Sequence, residues 1–129
     1  MCGIAGYMGE RSIENDRLQH CLNLMKRRGP DASAFKKWTN SLGKNIYFLH
    51  SRLKIIDMST QANQPFNVGK KWINFNGEIY NFIELRNELK KLGYNFRTDS
   101  DTEVLLTTIA HYGKGGLDLC EGMWSFAIY

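Results

Sequence analysis

Cys2 follows the first methionine directly and has the most distinctive chemistry in this sequence. Once Met1 is removed, Cys2 carries a thiol nucleophile and a free α-amine on one residue. The pKa of an α-amine is about 8 and that of a thiol about half a unit higher, so each group influences the proton of the other at neutral pH. A terminal amine can serve as the base for a terminal nucleophile. A cysteine at position 2 can also arise by chance, and only the rest of the chain can decide between these readings.

Two neighbouring residues could stabilise the charge that develops when a thiol attacks a carboxamide. Asn76 and Gly77, at the predicted end of a strand, offer a side-chain amide and an unhindered backbone N–H. Such donors stabilise an oxyanion, and the loss of one costs about 3 kcal/mol in the transition state. Glu78, the next residue, could accept a hydrogen bond from the NH₂ of a substrate. An Asn-Gly pair is also a common turn, so this interpretation has a structural alternative.

Two charged residues could hold the rest of such a substrate. Arg52, on a predicted strand, presents a guanidinium fork suited to an α-carboxylate. Asp101, in the first turn of a predicted helix, could pair with an α-ammonium group. A thiol, an amide-facing pair, a cation and an anion together match a substrate with carboxamide, carboxylate and amine groups, which are the groups of glutamine. Taken singly, Arg52 could be a surface cation and Asp101 a helix-capping residue.

Composition and length describe an ordinary globular chain. Its 129 residues, 43% of them hydrophobic and 23% charged, suit a single domain with one core. No apolar run approaches the ~18 residues of a membrane span, and no signal peptide opens the chain, so we expect a cytoplasmic protein without membrane contacts. Three cysteines without a CxxC pair argue against a disulfide framework and against a metal site.

The net charge of +4 does not indicate a nucleic-acid partner. The basic residues form short clusters at predicted helix ends and turns, where cations are solvated and favour the helix dipole. Aromatic residues do not alternate with them as in a nucleic-acid platform. We therefore expect no nucleic-acid binding.

Hydrophobic periodicity and turn residues predict the elements that must position these side chains. Strands are expected at residues 2–8, 32–39, 45–53, 71–76 and 123–129, with an irregular link over residues 61–69. Helices are expected at residues 15–27, at 82–92 and from 101 to Gly113. The predicted caps are Asn15 or Asp16, a capping-box form over residues 81–84 and a full capping box over residues 100–103. Cys21 lies on the predicted buried stripe of the first helix.

The element order favours an α+β fold with an antiparallel sheet covered by helices. Strands cluster as hairpins, and their alternation with helices is too irregular for a doubly wound parallel sheet. The last predicted strand ends the sequence with no turn after it, so we expect a chain cut within a domain. A sheet edge left open in this way would favour self-association, and a homodimer is therefore an expected partner.

Several blocks of sequence resemble, in this order, the N-terminal glutaminase domain of the glutamine-hydrolysing asparagine synthetase family. They are residues 1–6, 28–31, 50–57, 64–65, 76–81, 100–104 and 122–127, which read MCGIAG, RGPD, HSRLKIID, QP, NGEIYN, SDTEV and GMWSFA. These synthetases belong to the class II (type 2) glutamine amidotransferases among the N-terminal nucleophile (Ntn) hydrolases. The resemblance spans residues 1–129, and it implies a four-layer αββα sandwich with antiparallel sheets, here truncated at its C-terminal side.

The resemblance implies a role for each matching residue. Cys2 would be the nucleophile after removal of Met1, and Asn76 and Gly77 would form the oxyanion hole. The substrate would be held by a second group, in which Arg52 binds the α-carboxylate of glutamine, Ile55 and Ile56 lend backbone contacts, Glu78 contacts the bound molecule and Asp101 holds its α-amine. No residue of these motifs departs from the family pattern. No metal ligand is implied.

The implied reaction is hydrolysis of L-glutamine to glutamate and ammonia through a thioester on Cys2. In the intact family, ammonia passes to a C-terminal synthetase domain that activates a carboxylate such as aspartate with ATP and Mg²⁺. That domain is absent from this sequence, and this chain needs no cofactor of its own. The residues leave open an inactive fragment that folds, associates or only binds glutamine. A thiol-dependent redox protein is disfavoured because no CxxC is present.

Overall fold

A computed structural model describes residues 1–129. The strands are β1 (Gly3–Gly9), β2 (Ala32–Thr39), β3 (Asn45–Arg52), β4 (Phe66–Val68), β5 (Lys71–Ile79) and β6 (Gly122–Ile128). The helices are α1 (Asn15–Met25), α2 (Phe82–Lys91) and α3 (Asp101–Tyr112), with 3₁₀ turns at Thr60–Ala62 and Gly113–Leu119. The expected α+β class is confirmed.

Two antiparallel three-stranded sheets form the centre of the molecule. Sheet A has the order β1-β3-β2 and sheet B the order β4-β5-β6. Helix α1 covers sheet A through a cluster of Leu18, Leu22, Tyr47 and Leu49. Helices α2 and α3 cover sheet B, where Ile73, Phe75 and Ile79 pack against the apolar faces of both helices. This packing is consistent with a sandwich whose helices lie outside and whose sheets face each other.

Buried polar contacts and aromatic rings join the two sheets. Asn74 of β5 donates from Nδ2 to the carbonyls of Ala5 (3.1 Å) and Leu49 (2.9 Å) in sheet A. Trp38 of β2 lies 5.5 Å from the ring of Trp72 and 5.2 Å from that of Tyr129. Because these contacts cross from one sheet to the other, they fix the two sheets in one arrangement.

Two strand predictions are wrong. Strand β5 does not end at Asn76-Gly77 but continues to Ile79, because β6 pairs with it along this stretch, with Gly77 opposite Trp124. A Cβ atom at Gly77 would lie 2.3 Å from the carbonyl oxygen of Met123, so glycine serves close strand packing here and not a turn. The predicted irregular link over 61–69 contains the short strand β4, which pairs with the start of β5.

The predicted helix caps hold only in part. Ser100 caps α3, since its side chain accepts from the N–H of Thr102. The reciprocal half of the box is missing, because Glu103 accepts instead from the backbone and hydroxyl of Thr98. Asn81 does not cap α2 through its side chain, which binds the backbone of Leu119 and Glu121. Helix α1 begins after Glu14 without any side-chain cap.

No helix of the chain is long and apolar enough to cross a membrane. No three histidine, cysteine or carboxylate side chains come together as ligands for a metal ion.

Candidate functional site

A cavity of about 130 Å³ opens where the ends of the two sheets meet the start of α3. This volume is below the roughly 300–1,000 Å³ of pockets for drug-sized ligands and suits a smaller polar molecule. Seven of the eight predicted site residues line it: Cys2, Arg52, Ile55, Ile56, Gly77, Glu78 and Asp101. Asn76 is not among the lining residues.

Cys2 stands at the start of β1, against the chain segment that leaves β3. The backbone N–H of Leu53 donates to its Sγ atom at 3.4 Å, and the thiol lies 3.7 Å from the Leu53 carbonyl oxygen. Arg28 donates from Nε to the main-chain carbonyl of Cys2 at 3.0 Å. The side chain of Met1 is 57% exposed and lines the same cavity. The nitrogen of Cys2 is therefore a peptide nitrogen in this structure, and its thiol is already held beside the cavity.

Arg52 is 6% exposed and its guanidinium is fixed by main-chain and side-chain oxygens. Nη1 donates to the carbonyl of Ser59 at 2.7 Å and to Oδ1 of Asn63 at 2.9 Å, and Nη2 donates to the carbonyl of Asp57. A guanidinium has five N–H donors, so these three contacts leave donors free for a ligand. Burial lowers the pKa of Arg52, while the nearby charges of Asp57 and Cys2 act in the opposite direction. At neutral pH the side chain remains a cation.

Asp57 organises the loop behind Arg52 and was missed by the sequence analysis. Its carboxylate accepts from the N–H of Ser59 at 2.7 Å and from the N–H of Asp99 at 2.8 Å. Burial raises the pKa of Asp57, but these hydrogen bonds and the charge of Arg52 outweigh it, and the net pKa is lowered. The carboxylate therefore ties the loop after β3 to the segment that leads into α3.

The open side of β5, facing away from β6, presents the N–H of Gly77 to the cavity. Trp72 and Tyr129 exchange two hydrogen bonds of 2.7 and 2.9 Å, so the even-numbered residues of β5 point their N–H and C=O groups toward β6. The odd-numbered residues Phe75, Gly77 and Ile79 point theirs the other way. Phe75 donates to Gln64 and Ile79 donates to Asp101, which leaves the N–H of Gly77 between them. A backbone donor thus lies at the cavity, as an oxyanion requires.

Asn76 shares one face of β5 with Asn74, whose amide binds sheet A, and with Glu78, which lines the cavity. Its Oδ1 atom is buried and has no hydrogen-bond partner. Asn76 does not line the cavity, and its amide oxygen is left unpaired beside Gly77, which does.

Asp101 is the first residue of α3 and is 5% exposed. Its Oδ2 atom accepts from the N–H of Ile79 at 3.1 Å. Burial raises the pKa of Asp101 and the charge of Glu78 adds to this, while the backbone hydrogen bonds from Ile79 and Thr102 oppose it. A cation placed in the cavity would compensate the buried negative charge. The arrangement therefore favours an ammonium group as the partner of this carboxylate.

The entrance of the cavity is apolar. Ile55 is 58% exposed, Ile56 37% and Met123 55%. These side chains flank the polar interior that contains Arg52 and Asp101. The opening can therefore contact the aliphatic part of a ligand whose charged groups lie deeper.

Further lining residues were not predicted as part of the site. Gln64 and Thr102 are 5% and 3% exposed and bind each other, with Nε2 of Gln64 donating to Oγ1 of Thr102 at 3.3 Å. The signals were present in the sequence as the Gln64-Pro65 pair and as the second residue of α3, but neither residue has side-chain chemistry that by itself predicts a site.

Comparison with known proteins identifies the family of this chain. Residues 1–129 match the family described as glutamine amidotransferase domain. The chain belongs to this family. The glutamine amidotransferase domain is 37% identical over 136 residues to asparagine synthetase [glutamine-hydrolyzing] 1 of Bacillus subtilis, covering 100% of this chain and 21% of the relative. It is 35% identical over 133 residues to an asparagine synthetase [glutamine-hydrolyzing] of Zea mays, covering 99% of this chain and 21% of the relative.

A putative asparagine synthetase [glutamine-hydrolyzing] of Mycobacterium tuberculosis (strain CDC 1551 / Oshkosh) is 32% identical over 144 residues, with 100% of this chain and 22% of the relative covered. The chain thus spans about a fifth of the length of the curated relatives it matches. The family assignment from sequence motifs is confirmed.

Proposed function

We propose that this glutamine amidotransferase domain hydrolyses L-glutamine to glutamate and ammonia through a thioester on Cys2. The observation that supports it is the cavity itself, which groups a thiol, a backbone N–H donor, a buried cation and a buried carboxylate. Glutamine has one group for each of these. Its side-chain amide would face Cys2 and Gly77, its α-carboxylate Arg52 and its α-ammonium Asp101.

The proposed reaction begins with attack of the Cys2 sulfur on the side-chain carbonyl carbon of glutamine. Removal of Met1 frees the α-amine of Cys2, which takes the thiol proton and passes it to the amide nitrogen. The C–N bond then breaks and ammonia leaves, with a γ-glutamyl thioester remaining. Water attacks this thioester, the C–S bond breaks, glutamate is released, and the Cys2 thiol is regenerated.

The tetrahedral intermediate carries a negative oxygen that needs donors. The N–H of Gly77 is the donor that the open side of β5 supplies, and the unpaired amide of Asn76 is proposed as the second. Glu78 and the backbone near Ile55 and Ile56 are proposed as further contacts to the bound amino acid. Since catalytic hydrogen bonds are often completed only in the complex, the amide of Asn76 is expected to turn toward bound glutamine.

The relatives' names suggest the wider reaction to which this hydrolysis belongs. We propose that the fold is an Ntn-hydrolase sandwich and that the ammonia it releases goes to a synthetase domain. There it reacts with a carboxylate, such as aspartate, that ATP and Mg²⁺ activate. No residue of this chain is assigned to ATP or Mg²⁺. A homodimer and a cytoplasmic location belong to the same proposal.

A second candidate is binding of glutamine without turnover. It is favoured by the two buried charged residues of the cavity, Arg52 and Asp101, which can hold glutamine whether or not the α-amine of Cys2 is free. With Met1 retained, the proposed base is absent while the groups that would hold glutamine remain.

The test is release of ammonia from L-glutamine by the purified chain whose intact mass shows loss of Met1. We expect turnover in the wild type, none in Cys2→Ala, and wild-type rates in Cys21→Ala, a matched control in α1 away from the cavity. Equal rates in wild type and Cys2→Ala would refute the proposed catalysis. Glutamine binding by calorimetry without ammonia release would favour the second candidate.

A further inference from the structure

A ring made of three hydrogen bonds and two short backbone segments surrounds the position of Gly77 and includes Gln64. Pairing of β4 with β5 ends at Phe66 opposite Ile73. One step further along this ladder, the side chain of Gln64 replaces the backbone, and its Oε1 accepts from the N–H of Phe75 at 2.6 Å. The first donor on the open side of β5 is thus held by a side chain.

The other end of the Gln64 amide reaches the start of α3. Its Nε2 donates to Oγ1 of Thr102 at 3.3 Å, and the N–H of Thr102 donates to Ser100 at 3.1 Å. The residue before Thr102 is Asp101, which accepts from the N–H of Ile79. These contacts therefore connect two positions of β5, Phe75 and Ile79, through Gln64 and the start of α3.

Gly77 lies midway between the two fixed donors, Phe75 and Ile79. Its N–H faces the cavity with no residue of the ring bonded to it. Buried polar side chains that complete such networks hold backbone groups in place, because an unpaired partner would cost free energy. Gln64 and Thr102 are both almost fully buried, so the loss of either contact leaves a buried polar group unpaired.

We infer that Gln64 is a positioning residue for the proposed glutamine hydrolysis. It fixes the N–H of Gly77 relative to Asp101, so that the oxyanion donor and the α-amine partner lie at one set distance. This inference rests on the proposed function. It differs from a binding role, because Gln64 acts through β5 and α3 and the contacts of glutamine with Arg52 and Asp101 do not require it.

The expected effect lies in kcat and not in KM. An oxyanion donor strengthens its contact only in the transition state, so its displacement lowers kcat while ground-state binding is kept. Gln64→Met, which keeps the length of the side chain but neither hydrogen bond, should lower kcat about 10- to 100-fold with KM within about twofold.

Thr102→Val removes the contact at the other end of the amide and should act in the same direction, whereas Thr102→Ser keeps the hydroxyl and should restore kcat. The matched control is Thr108→Val on the same helix. Thr108 is fully buried, and its hydroxyl binds the carbonyl of Val104 outside the ring. We expect wild-type kcat and KM from it. A Gln64→Met variant with unchanged kcat, or with KM raised as much as kcat falls, would overturn the inference.

A second measurement separates this inference from the proposed function. In ¹H–¹⁵N spectra of the folded chain, Gln64→Met and Thr102→Val should shift the amide resonance of Gly77, and Thr108→Val should not. If the wild type releases no ammonia, the proposed function fails while this measurement still applies. An unmoved Gly77 resonance in both variants would then refute the positioning role, and a moved one would support it.

Discussion

Nε of Arg28 lies 3.0 Å from the main-chain carbonyl oxygen of Cys2, a contact that joins residues 26 positions apart. Arg28 lies beyond the end of α1, so the position of Cys2 depends on where that helix ends. The side chain of Arg28 is exposed, so this contact orients Cys2 and adds little to the stability of the fold.

Arg28→Gln should therefore reduce glutamine hydrolysis more than it reduces folding stability. We expect a kcat about tenfold lower, because the sulfur loses its fixed position, with an unfolding free energy within about 0.5 kcal/mol of the wild type. Steady-state kinetics and urea denaturation measure the two quantities. Arg27→Gln is the control, since Arg27 is exposed and its side chain makes no hydrogen bond or ion pair in the structure. Equal kcat in both variants would contradict this role of Arg28.

The raised pKa of Asp101 predicts a pH dependence of substrate affinity. Only the ionised carboxylate attracts an α-ammonium group, so KM for glutamine should rise as the pH falls through the raised pKa of Asp101. Asp101→Asn should raise KM at neutral pH and remove this acidic limb. Kinetics over a pH series test both statements. A wild-type KM that stays constant down to the ordinary carboxyl range, at about pH 4, would refute the assignment.

The carboxyl group of Asp101 also makes folding stability depend on pH: a higher pH favours substrate binding but lowers the unfolding free energy. Because the pKa of Asp101 is raised in the folded state, the folded chain binds its proton more tightly than the unfolded chain. Asp101 therefore destabilises the fold as the pH rises through this pKa, and Asp101→Asn should weaken that decline in urea denaturation.

His50 predicts a loss of stability in mild acid. Burial lowers its pKa from 6.5 to about 4, with a smaller effect of Arg52 in the same direction, while the bond of Nε2 to the Phe75 carbonyl opposes it. Below pH 6.5 the imidazole of His50 becomes protonated in the unfolded chain, whereas in the folded chain it stays neutral down to about pH 4. The unfolding free energy should therefore fall by about 3 kcal/mol over this window.

His50→Gln should lose this part of the pH dependence, since it keeps a donor for the Phe75 carbonyl and does not titrate. Urea denaturation between these two pH values gives the comparison. His20→Gln, at an exposed position of α1, should retain the wild-type slope. A wild-type slope in His50→Gln would show that another group titrates.

Gly29 predicts a steric limit beside Arg52. A Cβ atom there would lie 2.0 Å from the carbonyl oxygen of Ser51 and 2.6 Å from the nitrogen of Arg52. Both atoms belong to the backbone, so β3 itself must move, and Gly29→Ala should destabilise the fold by about 1–3 kcal/mol. Thermal and urea unfolding measure this. Gly115→Ala is the control, because no atom lies within 4 Å of its added Cβ and stability should be nearly unchanged.

Local sequence signals predicted the elements whose periodicity or turn residues are strong. Strand β2 is found at the predicted residues, and α2 and α3 end within one residue of their predicted ends. The extension of β5 through Asn76-Gly77 could not be predicted, because β6 supplies the pairing from about 50 residues away. Tertiary contacts decide strand length where local turn signals point the other way.

The residues of the site also fall into those that the sequence predicted and those that only the structure shows. Cys2, Arg52, Gly77 and Asp101 were found from their chemistry and the family motifs, and the structure groups them in one cavity. Gln64 and Arg28 were not predicted as site residues. The role of each depends on the backbone group that it contacts, which the sequence does not show. Asn76 does not line the cavity whereas Glu78, two residues along the same face of β5, does, and this difference depends on tertiary packing that the local sequence does not reveal.

Both sheets contribute residues to the cavity, with Cys2 and Arg52 on the side of sheet A, and Gly77 and Asp101 on that of sheet B and its covering helix. An amino acid bound to both Arg52 and Asp101 would therefore link sheet A to the helix that covers sheet B. At 100 times its dissociation constant it would add about 2.7 kcal/mol to the unfolding free energy. The resistance of the chain to proteases that attack its unfolded form would then increase with the concentration of the proposed substrate.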